Sequence, residues 1–232
     1  MKKPTAMMIP PTRAEAAADE LRRRILDGVY PGGMQLRQAQ LAEELGISRI
    51  PFREALVQLE AEGLVTTVPH KGSIVAEVSA EDVEEQFAFR ALLEPELLRI
   101  SAPRLNASDF ARLHEILQQY SAELRSQDAS RWGALNTELH ALLLGRADRP
   151  RMMAVAAQLL QSTDRFTRMQ LLLTDGRERA EEEHGELVRL CEAGQFDAAA
   201  EVLRRHILGA GKGLTEVLLD RRAAKAAAEA TE

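Results

Sequence analysis

The spacing of apolar residues in the first part of the chain predicts two successive helices. Thr12 and Glu15 have the spacing of a capping box, and apolar residues then recur at helical intervals up to Gly28. A shorter helix is predicted over residues 38–45, where Gly46 is placed to end it. The turn-forming residues between these segments indicate that the two helices are separate elements.

A third helix and a β-hairpin follow. Ser48 stands where it can cap the helix, and Pro51 falls in the first turn, where the amide that proline lacks would have no helical partner. Two β-rich runs, 64–68 and 73–78, are then joined by a short turn. Three helices and a hairpin predict a winged helix-turn-helix over residues 1–78.

From Ser79 onward the periodicity is helical. Six segments are separated by turn residues, at about 80–101, 107–126, 130–145, 150–173, 177–193 and 197–219. This pattern predicts a mainly α protein, in which the winged helix-turn-helix precedes an all-α helical bundle over residues 79–220. Residues 221–232 form a low-complexity tail.

Charge limits how this chain could bind nucleic acid. The net charge is −6, but residues 1–77 carry ten Lys/Arg and ten Asp/Glu, so the whole excess of acid lies in residues 78–232. Any DNA affinity must therefore come from a few well-placed cations in a homodimer.

Cys191 is the only cysteine, and no apolar run suggests a signal peptide or membrane span, so we expect a cytoplasmic protein.

The start of the third helix carries the candidate DNA-reading residues. In a helix-turn-helix the second of the paired helices lies in the major groove with its N-terminal residues at the bases. Arg49 and Arg53 are four residues apart and off the apolar stripe, so both can face DNA. His70 and Lys71, beside Gly72 in the hairpin turn, can reach the minor groove or the phosphate backbone of DNA. The alternative is that the two arginines simply form a solvated helix face.

Three histidines and an asparagine form a candidate metal site. His184 lies ten residues before Gly194, and His206 lies nine residues after the end of that turn, so both are about 14–15 Å from it and level across a helical hairpin. Asn136 and His140 share one face of another helix. Three imidazoles and one oxygen suit Zn²⁺, with Ni²⁺ or Mn²⁺ as alternatives. Otherwise each histidine is an ordinary hydrogen-bonded residue.

Arg90 is the candidate effector-binding residue. It falls on the apolar face of the first helix of the bundle, and an inward arginine needs an anion. That anion could be the carboxylate of a small effector, or Glu94, four residues on, in a routine ion pair.

The run from Ile25 to Val75 resembles the DNA-binding domain of the GntR family of bacterial regulators. The resemblance is carried by the Pro-Gly turn before Leu36 and by the segments 41–46, 48–49, 51–56 and 62–65. It implies that Ser48, Arg49 and Arg53 are the principal DNA contacts of the third helix. It also implies that His70 and Gly72 contribute from the β-hairpin, which forms the wing. Some members have an arginine where this chain has Ala39, and Arg37 could replace it. The candidate DNA-binding set is Arg37, Ser48, Arg49, Pro51, Arg53, His70, Lys71 and Gly72.

The helical remainder, about 80–210, resembles the FCD effector domain of FadR-like members of that family. The matching pieces are 90–94, 136–140, 149–151, 183–184, 193–194 and 205–207. The resemblance implies the same metal set, Asn136, His140, His184 and His206, and a small organic-acid effector. The family more often has aspartate where Asn136 stands, and an amide oxygen is the weaker ligand.

We therefore predict a non-enzymatic, sequence-specific transcriptional regulator that binds palindromic operator DNA as a homodimer and responds to a small carboxylic acid. A metal-dependent hydrolase is the main alternative, because three histidines around an open position could activate water. It is disfavoured because no general base is evident beside the histidines. A ligand-independent architectural DNA binder is a third possibility.

Overall fold

The computed structural model describes residues 12–26, 29–125 and 131–229. The chain divides into two compact units, residues 1–77 and 78–232. None of the helices in the described part is both long and apolar enough to cross a membrane. The mainly α fold class predicted from the sequence is confirmed.

The first unit contains three helices and a two-stranded antiparallel sheet. Their bounds are α1 Arg13–Leu26, α2 Gln38–Glu44, α3 Arg49–Ala61, β1 Val65–Val68 and β2 Gly72–Val75. The predicted capping box begins α1, since the Thr12 amide donates to Glu15 Oε2 at 2.6 Å and the Glu15 amide donates to Thr12 Oγ1 at 3.1 Å. α1 packs on α3, and Leu21 of α1 and Phe52 and Leu59 of α3 are buried.

The start of α3 differs from the prediction in one respect. Ser48 occupies the N-cap position, but its side chain makes no capping hydrogen bond. An N-cap serine normally accepts from the amide of the second or third helical residue. The third residue here is Pro51, which has no amide hydrogen. Pro51 therefore offers no donor, and the exposed Ser48 hydroxyl does not accept from the Ile50 amide either.

The two strands of the hairpin are shorter than predicted, and β2 also pairs with a residue outside the hairpin. Val65 pairs with Val75 and Val68 with Gly72. Gln35, outside the predicted strands, forms a β-bridge to Ile74 on the other side of β2. The turn requires left-handed backbone at His70 (φ 64°) and Gly72 (φ 75°), and glycine adopts this conformation without strain.

The second unit is built of helices. They are α4 Ala80–Ser101, a short 3-10 helix Ala102–Arg104, α5 Ala107–Arg125, α6 Trp132–Leu144, α7 Pro150–Leu173, α8 Gly176–Glu192 and α9 Phe196–Glu229. α4 makes its most extensive contact with α9, and α8 and α9 form a hairpin around Gly194. α9 continues beyond the predicted end at 219 because the alanine-rich residues that follow have high helix propensity.

Candidate functional site

Three buried histidines from three helices converge in the second unit. α6 contributes His140, α8 contributes His184 and α9 contributes His206. One potential ligand atom from each lies within 4.8 Å of the others. The ring centroids of His184 and His206 are 4.6 Å apart, and each is 5.7 Å from that of His140. The helical hairpin thus brings His184 and His206 together, as their equal distances from the turn predict.

Glu94 on α4 fixes the orientation of His140. Glu94 Oε2 lies 2.6 Å from His140 Nδ1. Arg90 Nη2 lies 3.3 Å from the same nitrogen, but one ring nitrogen cannot both donate to Glu94 and accept from Arg90. The shorter contact with a carboxylate is the stronger, so Nδ1 carries the proton. His140 Nε2 therefore presents a lone pair, and it has no hydrogen-bond partner although it is buried.

The other two histidines differ in their partners. His206 Nδ1 lies 2.7 Å from Glu183 Oε2 on α8, an arrangement that parallels the pair of His140 and Glu94. His184 is fully buried and neither of its ring nitrogens has a hydrogen-bond partner. An unpaired buried polar group costs about 1–3 kcal/mol, so these nitrogens are suited to a ligand.

Burial keeps two of the histidines neutral. It lowers the pKa of His184 well below its usual value, and the nearby His206, His140 and Arg90 lower it further. Burial also lowers the pKa of His140, although Glu94 opposes this. Neutral imidazole is the form that binds metal ions. His114, by contrast, is exposed outside the cluster, with Nε2 2.8 Å from Glu192.

Arg90 contacts the ion-pair partner that its sequence position suggests. Its Nε donates to Glu94 Oε1 at 2.5 Å, and its Nη1 donates to Thr163 Oγ1 at 3.2 Å. Arg90 is 2% exposed and Glu94 is fully buried. Burial alone raises the pKa of Glu94, but the charge of Arg90 and the contact with His140 outweigh it, and the pKa falls below its usual value. The pair is therefore ionised and nearly neutral overall.

A small cavity lies beside the histidines. Arg90, Asn136, Gln170 and His206 supply polar lining, and Tyr120 of α5 also lines the cavity. The Tyr120 hydroxyl is buried without a hydrogen-bond partner, and its ring lies 5.0 Å from that of His184. Burial, with a smaller effect of Glu181, raises the pKa of Tyr120, so the hydroxyl remains a neutral donor. The cavity thus has hydrogen-bonding groups but little net charge of its own.

The predicted DNA-reading residues lie on the surface of the first unit. Arg49 and Arg53 are exposed at the start of α3. Two acidic residues near the C-terminal end of α3 contact other residues of the first unit. Glu62 forms a two-point ion pair with Arg22, and Glu60 accepts hydrogen bonds from the amide and hydroxyl of Thr67.

The remaining members of the predicted set are partly or fully accessible. Arg37 is exposed at the N-cap of α2, and Pro51 is half-buried in the first turn of α3. His70, Lys71 and Gly72 are exposed at the tip of the hairpin.

Two protein families match the chain. Residues 13–75 match the family described as bacterial regulatory proteins, gntR family, and residues 85–209 match the FCD domain. The second match alone covers more than half of the chain. This chain belongs to the GntR family and carries an FCD domain. It is a transcriptional regulator with a DNA-binding helix-turn-helix and an effector-type domain.

Individual relatives of this GntR-family regulator support the assignment. An uncharacterized HTH-type transcriptional regulator from the TAR-I ttuE-ttuC' intergenic region of Agrobacterium vitis is 33% identical over 139 residues, covering 58% of this chain and 81% of the relative. The HTH-type transcriptional repressor GlaR of Escherichia coli strain K12 is 24% identical over 196 residues, which cover 81% of this chain and 89% of the relative.

A solved structure agrees along almost the whole length. The crystal structure of a GntR-family transcriptional regulator from Pseudomonas syringae pv. tomato str. DC3000 is 34% identical, covers 91% of this chain and 90% of its own, and superposes with a TM-score of 0.53.

The sequence does not reveal three contributors to the GntR regulator's site. Glu183 adjoins His184 in sequence but contacts His206, and Glu94 is predicted only as a partner of Arg90, not of His140. Tyr120 belongs to the buried stripe of α5, where an aromatic residue is expected for packing alone. The spacing of Glu94 one turn after the inward Arg90 identifies it as a partner of that arginine, but no signal in the sequence connects it with His140.

Proposed function

We propose that this regulator holds a divalent metal ion at His140, His184 and His206, and that a small carboxylic acid bound beside the metal controls operator binding. The convergence of three buried imidazoles, with unpaired nitrogens on His140 and His184, carries the proposal. Zn²⁺ fits this nitrogen-rich set, with Ni²⁺ or Mn²⁺ as alternatives. Asn136, one helical turn before His140, supplies the nearby amide oxygen.

Two carboxylates support the metal-binding interpretation. Glu94 and Glu183 each accept a hydrogen bond from the Nδ1 of a histidine, which fixes the tautomer and leaves Nε2 as the ligand atom. Because both carboxylates are engaged in this way, neither serves as a free base for water. The arrangement favours binding over hydrolysis.

The charge of the cavity makes acid binding depend on the metal. Arg90 is inward, but its positive charge is already balanced by Glu94. A bound divalent ion would supply the missing positive charge and open coordination positions for a carboxylate oxygen. The remaining N–H groups of Arg90 and the Tyr120 hydroxyl are then available to orient the acid. Any shift of operator affinity requires that the acid bind two arrangements of the regulator unequally.

On the DNA side, the proposal places the first turn of α3 in the major groove and the hairpin tip against the minor groove or backbone. Arg49 and Arg53 contact bases or phosphates, with Ser48, Pro51 and Arg37 beside them. His70, Lys71 and Gly72 supply the wing contacts. Because one α3 reads a single half-site, we propose a homodimer on a palindromic operator.

Elemental analysis of the purified protein tests the metal site. We expect substoichiometric divalent metal in the wild type, and its loss in His140→Ala, His184→Ala and His206→Ala. His114→Ala is the matched control, since it removes an exposed histidine outside the cluster, and it should leave the metal content unchanged. Asn136→Asp should increase retention at neutral pH, because a carboxylate is the stronger ligand. Absence of metal in both the wild type and Asn136→Asp, even after loading, would refute the metal site.

Thermal-shift measurements with small mono- and dicarboxylic acids test the effector. A specific acid raises the apparent stability of the metal-loaded protein, and a chelator should remove that increase. An increase that survives chelation and the loss of His184 would show that the acid binds without the metal.

A further inference from the structure

Two large apolar side chains are exposed on the DNA-reading helix. Ile50 is 72% exposed and Val57 is 65% exposed, whereas Phe52, Leu56 and Leu59 of the same helix are buried. Single exposed apolar residues are common on protein surfaces and by themselves indicate nothing. The position of Ile50 is different, because it is the second residue of α3.

Ile50 lies among the groups proposed to contact DNA. Arg49 precedes it directly, and Arg53 is three residues on, which makes Arg53 a neighbour on the helix surface. Both arginines are exposed and cationic, so a polyanion is the partner that would cover this end of the helix. Val57 is seven residues farther along, about 10.5 Å along the helix axis. Val57 therefore lies about two turns from Ile50, one turn beyond Arg53.

The major groove offers one apolar group on a base edge, the 5-methyl of thymine. We propose that Ile50 packs against the 5-methyl group of a thymine in each half-site and so selects thymine next to the base pairs that Arg49 and Arg53 contact. This inference rests on the proposed placement of the first turn of α3 in the major groove. It makes Ile50 a specificity-determining residue rather than a source of bulk affinity.

The experiment begins with a duplex selected from a random pool by the full-length wild-type protein. Each thymine of that duplex is then replaced by deoxyuridine, which removes only the methyl group, and affinities are measured by fluorescence anisotropy. At one thymine per half-site we expect the replacement to weaken wild-type binding about fourfold, the effect of one buried methyl group.

Two variants make the test specific. Ile50→Ala should bind the thymine and deoxyuridine duplexes equally, because the methyl group has lost its apolar partner. Val57→Ala is the matched control, since it truncates a similarly exposed residue of the same helix, and it should keep the fourfold discrimination. Both side chains are exposed, so neither variant should alter the thermal stability of the protein.

Each other outcome overturns the inference in a distinguishable way. If no thymine methyl matters to the wild type, or if Ile50→Ala discriminates as strongly as the wild type, Ile50 does not read thymine although the proposed function stands. If no specific duplex can be selected, the proposed function itself fails. If Ile50→Ala disrupts self-association in sedimentation without DNA, Ile50 is covered by a second copy of the chain instead.

Discussion

The contacts of Arg90 explain why a charged residue can lie in the interior of the helical unit. Its guanidinium is shared between Glu94 and Thr163, and Glu94 is shared between Arg90 and His140. The three ionisable side chains therefore form one buried network, in which the charge of Arg90 keeps Glu94 ionised and Glu94 orients His140. An arginine that is needed for this network acts on the candidate metal site even before any effector binds.

Removing that arginine should destabilise the protein in the absence of ligand. Arg90→Ala leaves the Glu94 carboxylate buried without its cation, and breaking a buried pair in this way costs about 3–5 kcal/mol. Denaturant unfolding of the acid-free protein measures the loss. Arg204→Ala is the control, because its partner Glu201 is exposed, and water screens surface pairs of this kind so that they contribute little to stability. If Arg90→Ala is as stable as this control and only loses acid affinity, Arg90 serves the effector alone.

At the scale of elements, the packing of α4 against α9 depends on a residue without a side chain. A Cβ at Gly211 would lie 2.7 Å from Cβ of Phe87, closer than real Cβ atoms approach. Both helices carry residues of the site, Arg90 and Glu94 on α4 and His206 on α9. The close approach at Gly211 therefore helps to set the distance between the two sides of the cavity.

The two glycines Gly209 and Gly211 of α9 should respond oppositely to alanine. In an exposed or roomy helix position, alanine is favoured over glycine by about 0.8–1.0 kcal/mol. Gly209→Ala should show this gain, since its nearest neighbour would be a flexible Arg179 side-chain atom at 3.8 Å. Gly211→Ala should instead destabilise the protein by about 1–3 kcal/mol through overpacking against Phe87. Thermal unfolding of both variants checks this, and a gain at Gly211 would show that α4 and α9 can separate without penalty.

For the whole molecule, the distribution of charge constrains how the regulator binds DNA. The N-terminal 77 residues carry no net charge and the remainder carries −6. Non-specific attraction to the phosphate backbone is therefore weak, and affinity depends on the correct placement of a few cations. In the proposed homodimer, two copies of α3 on a two-fold operator would double those contacts.

We therefore expect a dimer in sedimentation and a palindrome in the selected operator. Arg49→Ala and Arg53→Ala should each weaken specific binding by about 1–3 kcal/mol if they contact bases. Arg125→Ala removes the same charge from an exposed site in the helical unit and should have little effect. Unchanged affinity in both helix variants, with the proteins folded, would mean that these arginines form only a solvated surface.

The local pattern of the sequence was sufficient to predict those features that depend on a single helix or turn. Residue spacing and the fixed rise of a helix account for the capping box at Thr12 and Glu15, the bounds of α4 and α7, and the similar distances of His184 and His206 from their turn. The GntR and FCD motifs are likewise short runs of neighbouring residues, and the assignment to these families is confirmed.

The tertiary structure decided which atoms meet between elements. Spacing places Glu183 beside His184, but the packing of α8 on α9 directs its carboxylate to His206. Spacing also places Ser48 at a cap position, but Pro51 removes one of the two amides that its hydroxyl could accept from, and the hydroxyl accepts from neither. Helical periodicity fixes the face on which a side chain lies, whereas hydrogen bonds depend on ångström-scale distances between packed helices. For this reason the sequence identified the three histidines, and only the packing determined their partners.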